Sequence, residues 1–494
     1  MSELVIEKVD EVNVRVRCER SLAKELSDFF TFKVPGHKYM PAYRSRVWDG
    51  TIKLYNMFSQ EIYGGLLDYV ISFADERDYK YELTLDIPQN RADEKLVRRY
   101  MENDLEVSVK DKKISPHDHQ VNAVTHAIRK ERCLLLSPTG SGKSLIIYTL
   151  MRHYLEKTNK KILIIVPTTG LVSQMYSDFA DYSGVNKWDV ESNVHKIYAG
   201  QSKDTEKRVV VSTWQSLHKM PEKYFKDFDV VFGDECHLFK AKSLTSIMSK
   251  LKNARYRIGT TGTLDGALTH KLVIEGLFGP VKDVTTTKEL MEKKILSDLK
   301  IDCILLDYKD EDKKLVSHLK YPDEMKWLVT SEKRNNFISK LAGSTVGNTL
   351  VLFQFVENHG KQLYEKIKKE NPNKKVFLIH GGVETEDREN VRGIAEKEKD
   401  AIIVASYGTF STGINIRNLH NIVFASPSKS RIRILQSIGR QLRKHETKKV
   451  AKLYDIGDNL QWKKKRNHTL KHFFERIKIY KIEGFNFKTI KINV

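Results

Sequence analysis

The chain has 494 residues, with 85 Lys and Arg against 64 Asp and Glu, a formal charge of +21. That length suffices for roughly three or four domains with full cores, and the basic excess points to a polyanionic partner, nucleic acid before an acidic membrane surface. No apolar run is long enough to span a bilayer, and Cys18, Cys133, Cys236 and Cys303 form no C-x-x-C pair, which sets aside a metal or redox cysteine motif.

Residues 1–112 have a pattern of their own. Val12, Val14 and Val16 alternate with Asn13, Arg15 and Arg17 as in a half-buried strand, and 22–30 predicts a short amphipathic helix. The stretch 31–55, TFKVPGHKYMPAYRSRVWDGTIKLY, interleaves Lys33, Lys38, Arg44, Arg46 and Lys53 with Phe32, Tyr39, Tyr43, Trp48 and Tyr55. Asp49-Gly50 between two β-rich runs predicts a hairpin turn. Basic side chains among aromatics suit phosphate contact with base or sugar stacking. A two-stranded sheet with core aromatics and a solvated basic face accounts for the same residues equally well. A charged helix at 92–103 and a lysine-bearing turn at 110–113 close this region.

From Pro116 onward, short buried strands alternate with helices, the pattern of a parallel sheet. Candidate strands are 133–137, 162–166, 209–212, 230–233 and 256–259. After the first of them comes LLLSPTGSGKS (134–144). Gly140 and Gly142 let the backbone approach a polyphosphate, whose charge the loop N–H groups and the next helix N-terminus receive. Lys143 is placed to reach the β- and γ-phosphates and the Ser144 hydroxyl to hold Mg²⁺. Asp234 and Glu235 end the strand 230–233, where one carboxylate can hold Mg²⁺ through water and the other polarise the attacking water. Gln120, just ahead of the first strand, could read an adenine edge.

A second series of strands, at 350–353, 376–379, 401–405 and 422–425, carries no phosphate loop and includes helices at 332–341, 360–370 and 431–442. On the last helix Gln436, Arg440 and Arg443 share roughly one face at i, i+4, i+7. Two arginines presented across an interdomain cleft can stabilise charge on a transferred phosphoryl group. Past residue 460 the composition turns basic (Lys463, Lys471, Arg476, Lys478, Lys481, Lys488, Lys491), while Trp462, Phe473, Phe474, Ile477 and Tyr480 recur at helical spacing. The expected organisation is 1–112, 113–290, 291–456 and a basic helical extension at 457–494.

The ordered set PHDHQ (116–120), SPTGSGKS (137–144), VPTTGLVSQ (166–174), STWQS (212–216), DECH (234–237), TGT (261–263), LFQF (352–355), HGG (380–382), VASYGTFSTGIN (404–415) and QSIGRQLRKH (436–445) resembles the superfamily 2 helicases. Within them, VWDGTIKL, KILIIVPTT, IIVASYGTFSTGI and IGRQLRKH resemble the UvsW family of T-even phages. Ser137 departs from the family's first loop glycine and Asn415 from its common aspartate. The resemblance implies an α/β fold: two RecA-like parallel-sheet domains in tandem, a small α+β N-terminal domain and the basic helical tail. It implies that Gln120, Thr139, Gly140, Ser141, Gly142, Lys143, Ser144, Asp234, Glu235, Gly413, Arg440 and Arg443 line a cleft for ATP and Mg²⁺. By the same resemblance Thr168, Thr213, Trp214, His380, Gly381 and Thr409 would face the tracked strand and Thr261 and Thr263 would couple the two sites, while the basic-aromatic stretch offers Arg44 and Arg46 for phosphate contacts.

The function so implied is that of an ATP-dependent DNA helicase or translocase remodelling forks, Holliday junctions and R-loops in recombination, replication restart and repair. The partners implied are single-stranded and branched duplex DNA, with RNA in hybrids, acting as a monomer without a membrane. The setting implied is the cytoplasm, the host's if the chain is phage-encoded. An RNA helicase and a restriction-type DNA translocase subunit are the alternatives. A non-catalytic scaffold is disfavoured by Lys143, Asp234, Glu235 and Arg443.

Overall fold

A computed structural model of the chain describes residues 2–494 other than 86–89, 199, 240–241, 265–267, 384, 414–415, 417, 429, 444–447 and 449. Two compact units are formed, one by residues 1–137 with 141–285, the other by 138–140 with 286–494.

The first unit begins with a four-stranded sheet in the order Glu61–Tyr63, Asn13–Arg17, Leu4–Lys8, Tyr81–Thr84. The alternation of valines and polar residues sends Val14 and Val16 inward, where they pack with Leu22, Leu26 and Phe73 from the helices Arg20–Phe29 and Leu67–Asp75. In the basic-aromatic stretch the structure differs from a simple hairpin. Strands Thr31–Lys33 and Thr51–Lys53 pair antiparallel, but a 3₁₀ turn at His37–Tyr39 and a short helix at Pro41–Arg44 lie between them. Gly36 takes the left-handed region and Pro41 opens the helix, so the chain leaves the strand direction well before Asp49-Gly50.

The main sheet of this unit has seven strands, all parallel: Val194–Ile197, Val209–Thr213, Lys161–Val166, Phe228–Gly233, Tyr256–Thr261, Arg132–Leu136 and Val281–Asp283. Its strands are apolar on both faces, as a sheet buried on both sides requires. Cys133, Leu135, Ile162 and Ile164 pack with the helices Asp118–Lys130, Lys143–Lys157 and Thr169–Tyr182. Leu134, Leu163, Ile165 and Val231 face the other way, into one core shared with the N-terminal module. The modules meet closely: a Cβ on Gly65 would lie 2.0 Å from the Glu275 carbonyl oxygen. Tyr69 donates its hydroxyl proton to Glu275 at 2.9 Å, and Arg132 donates to the Glu11 carbonyl at 3.0 Å.

The second unit holds another parallel seven-stranded sheet, in the order Val376–Ile379, Ile402–Ser406, Thr349–Phe353, Asn421–Phe424, Val450–Asn459, Asp298–Asp307, Phe487–Asn493. Numbered along the chain, both sheets run third, fourth, second, fifth, sixth, first, seventh. The two therefore share one topology. Residues 457–494 contain the expected helix, His468–Ile482, and an edge strand, Phe487–Asn493, that the sequence reading did not anticipate. Nor is every basic residue of that tail on a solvated face. Arg476 is buried, 2.7 Å from Asp455, and also donates to the carbonyls of Ser428 and Ile456, while Lys491 pairs with Asp307 at 2.7 Å. Among the described residues all four cysteines are free thiols, and no helix is long and apolar enough to cross a membrane.

Candidate functional site

Parallel strands put their carboxyl ends on one edge of a sheet, where the following loops gather. At that edge of the first sheet, Arg132–Leu136 runs into the phosphate loop, with Gly140 and Gly142 both at positive φ and the helix Lys143–Lys157 beginning directly after them. Gly142 has a second reason to be glycine, since a Cβ there would lie 2.2 Å from the Gln120 amide nitrogen. The loop is braced by its own groups. Ser137 and Ser141 hydroxyls are 2.6 Å apart, and Lys143 Nζ donates to the Ser137 carbonyl at 3.1 Å. Ser137 thus replaces the family's glycine with a hydroxyl that braces the loop. Gln120, the expected adenine reader, is buried, donates to the Ser141 carbonyl at 3.0 Å and accepts from His117 N–H at 2.9 Å. His119 lies 2.9 Å from the same carbonyl. Ser144 Oγ is 2.8 Å from the Tyr182 hydroxyl, a partner no motif announces.

Two strands away, Asp234 follows Phe228–Gly233 and is buried. Its Oδ1 accepts from Thr260 Oγ1 at 2.8 Å and from Glu235 N–H at 2.9 Å. Burial, then the charge of Glu235, pushes the Asp234 carboxyl up, partly opposed by the nearby Lys143 ammonium and the Thr260 bond. A divalent cation would relieve that penalty. Hard oxygen donors from a serine hydroxyl and a carboxylate suit magnesium rather than a soft metal. Glu235 sits at φ 53, a left-handed conformation that turns the chain sharply after the strand. His237 Nδ1 lies 3.3 Å from Glu235 Oε2 and 3.1 Å from Thr261 Oγ1. Thr261 donates its one hydroxyl proton to the Thr263 carbonyl at 3.0 Å, so the shared proton belongs to His237 Nδ1. A continuous path therefore joins the acidic pair to the Thr261–Thr263 turn through His237, which sequence reasoning passed over.

The residues expected to face a nucleic-acid strand occupy the same edge. Thr168 is the N-cap of the helix Thr169–Tyr182, its hydroxyl accepting from Leu171 N–H at 3.3 Å. Thr213 ends its strand buried, its hydroxyl 3.0 Å from Ser216, and Trp214 packs half-buried against the core.

In the second unit His380 and Gly381 follow the strand Val376–Ile379, with Gly381 exposed and His380 Nδ1 accepting from Gly382 N–H at 3.1 Å. Thr409 is buried, its hydroxyl 2.8 Å from that of Ser406, and Gly413 ends the helix Tyr407–Gly413. Arg440 lies in the helix Arg431–Gln441, its guanidinium 5.8 Å from the Phe410 ring. Arg443 lies beyond that helix, so the expected i, i+4, i+7 face stops at Arg440. The helix end is pinned: Gln441 donates to the carbonyls of His420 and Lys452 at 2.8 and 2.7 Å, and Lys448 donates to the Gln441 carbonyl. Burial, then Arg443, brings the Lys448 ammonium down to about 7. Asn415 lies outside the described residues.

The N-terminal basic stretch separates into parts. Trp48 is half-buried and donates its indole N–H to the Thr51 carbonyl at 2.7 Å, and Tyr55 is buried. Arg44 and Arg46 are exposed, as are Tyr39 (79%) and Val47 (83%), with Phe58 fully so on the neighbouring turn. The exposed ring next to exposed arginines is Tyr39, not Trp48.

Residues 4–84 match the family model described as DNA helicase UvsW, N-terminal, residues 113–266 that of the Type III restriction enzyme, res subunit, and residues 332–445 the Helicase conserved C-terminal domain. The chain is similar to the ATP-dependent DNA helicase uvsW of Enterobacteria phage T4, 38% identical over 502 residues that cover 98% of each chain. It is more distantly similar to the DNA 3'-5' translocase XPB2 of Sulfurisphaera tokodaii, 25% identical over 407 residues, covering 73% of this chain and 88% of that one. Among solved structures it aligns with the crystal structure of T4 UvsW over 100% of both chains, at 36% identity and a TM-score of 0.53.

Proposed function

The chain belongs to the UvsW family of superfamily 2 helicases, and on that premise we propose that it is an ATP-dependent DNA helicase or translocase that remodels branched DNA in recombination, replication restart and repair. The observation that carries the reading is the assembled phosphate site: Lys143, Ser144, Asp234 and Glu235 at one sheet edge, joined through His237 to Thr261. Ser144, and Asp234 through water, would hold magnesium, which when bound would supply charge neutralisation on the phosphates. Lys143 gives up its bond to the Ser137 carbonyl to take the β- and γ-phosphate oxygens. Glu235 orients and deprotonates the attacking water. Arg440 and Arg443 act on charge that develops on the γ-phosphoryl group, stabilising the transition state more than bound ATP.

The tracked strand is held through its phosphates by backbone and polar groups at Thr168, Thr213, His380, Gly381 and Thr409. Such contacts carry no sequence information. Arg44 and Arg46 with Tyr39 give the N-terminal module a basic, partly apolar projection suited to a duplex or branch point ahead of that strand. The match to a restriction-enzyme model covers the first motor sheet and not this module, so it supports the motor and not a restriction function. The protein acts as a monomer in the cytoplasm of the cell that makes it.

ATP turnover and strand separation measured in parallel on single-stranded, duplex, forked and four-way DNA, with matched RNA duplexes, test the proposal. Stimulation by every DNA, with remodelling of forks and four-way junctions, is expected. Equal unwinding of RNA duplexes, or turnover indifferent to nucleic acid, overturns it.

A further inference from the structure

Ser144 Oγ and the Tyr182 hydroxyl lie 2.8 Å apart, which ties the last residue of the helix Thr169–Tyr182 to the phosphate loop. That end of the helix is firmly placed. The Tyr182 ring packs on Tyr148 with centroids 5.6 Å apart, and Tyr148 is itself fully buried in the phosphate-loop helix. Ser108 Oγ donates to the Asp181 carbonyl at 2.8 Å and lies 3.3 Å from that of Tyr182, while Lys110 N–H donates to the Asp181 carboxylate. Ring packing alone is served equally well by phenylalanine. The hydroxyl has a different use, because its partner is the one phosphate-loop side chain assigned to a cation.

We propose that Tyr182 is a positioning residue of the metal–nucleotide site: its phenol oxygen accepts a hydrogen bond from the Ser144 hydroxyl and so turns the lone pairs of Ser144 Oγ toward the cation. A hydroxyl has one proton and two lone pairs. As a metal ligand it must present a lone pair to the ion and send the proton elsewhere, and an outer acceptor that fixes this direction strengthens the ligand. Tyr182 stands where that acceptor is needed. The inference rests on the reading of Ser144 as a magnesium ligand.

The test is equilibrium binding of ADP to the full chain, with magnesium and with EDTA, so that no turnover is involved. Tyr182→Phe keeps the ring and is expected to lower the magnesium enhancement of ADP affinity by about ten-fold, leaving affinity in EDTA unchanged. Ser144→Ala is expected to lower the same enhancement, and Tyr182→Phe should add nothing in that background. An unchanged enhancement in Tyr182→Phe overturns the proposal, as does an equal loss with and without magnesium, which marks a packing role. Additive effects of the two substitutions overturn it as well. If Ser144→Ala itself leaves the enhancement intact, the metal reading of Ser144 fails first and this inference falls with it.

Discussion

Lys143 donates to a loop carbonyl, and Asp234 is a buried carboxylate raised by burial and by Glu235. Both are poised for charge that arrives with a ligand. Lys143→Ala is expected to lower ATP hydrolysis by at least ~10²–10³-fold while single-strand affinity, measured without nucleotide, stays near that of the parent. His237 belongs to a different step. With its ring removed in His237→Ala, the path from Glu235 to Thr261 is cut although the carboxylates remain. Turnover on single strands should then survive largely intact while strand separation per ATP collapses, as parallel phosphate-release and unwinding assays would read. The places of Lys143, Asp234 and Glu235 after their strands were legible in the sequence, because each follows a short apolar run. The contacts of Tyr182 and Gln120 were not legible, since their partners lie 38 and 21 residues away and only the folded sheet brings them together.

Elements with a buried, one-sided or periodic pattern were read well: the strands of the first sheet around 133–137, 162–166 and 230–233, and the helix near 431–442. Strands whose residues mix charge with apolar groups escaped notice, notably Asp298–Asp307 and Phe487–Asn493. In Asp298–Asp307, Asp302 and Asp307 are met by Lys488 and Lys491 of the neighbouring strand, so charges break up a run whose apolar residues are buried or half-buried. The helix carrying Arg440 ends at Gln441, before Arg443, where the Gln441 side chain is bonded to the carbonyls of His420 and Lys452. One buried element has a pH consequence. His359 lies between Ser426 at 3.0 Å and Asn335 at 3.3 Å, and burial, then the Arg334 charge, brings its imidazole down to about 3. The unfolded chain protonates near the ordinary value, so between these limits it binds more protons than the folded one. The stability from a neutral His359 is complete above about pH 6.5 and is lost as pH falls toward 3, by about 1.4 kcal/mol per unit. His359→Gln should flatten that part of the decline in thermal midpoint between pH 7 and 5, even though His126 and His153, brought down to about 4 by burial, preserve the rest.

On the scale of the whole molecule, the +21 charge and the exposed N-terminal projection are one question about polyanions. With ~6–10 phosphate contacts, DNA affinity should fall by ~10³–10⁵ between about 50 and 200 mM salt. Arg44→Ala with Arg46→Ala should reduce the slope by about two contacts and weaken forked and four-way DNA more than single strands. Removing residues 1–110 is a poorer test, because Gly65, Tyr69 and the apolar side chains around Phe73 share their core with the first motor sheet. A basic projection that looked separable in sequence is rooted in the motor.

The edge strand Phe487–Asn493 bears on biosynthesis. It pairs along Asp298–Asp307, whose other side waits for Val450–Asn459. A ribosome that has made the first strand of this sheet must therefore add well over a hundred residues before either flank is covered. Non-local parallel pairing of this kind is slow, and an unpaired strand edge recruits other chains. The first unit closes its equivalent edge with Val281–Asp283 and can fold while the rest is still being translated. Chains released before residue 487 should accumulate as aggregates with a folded first half, detectable as a protease-resistant fragment ending near residue 285.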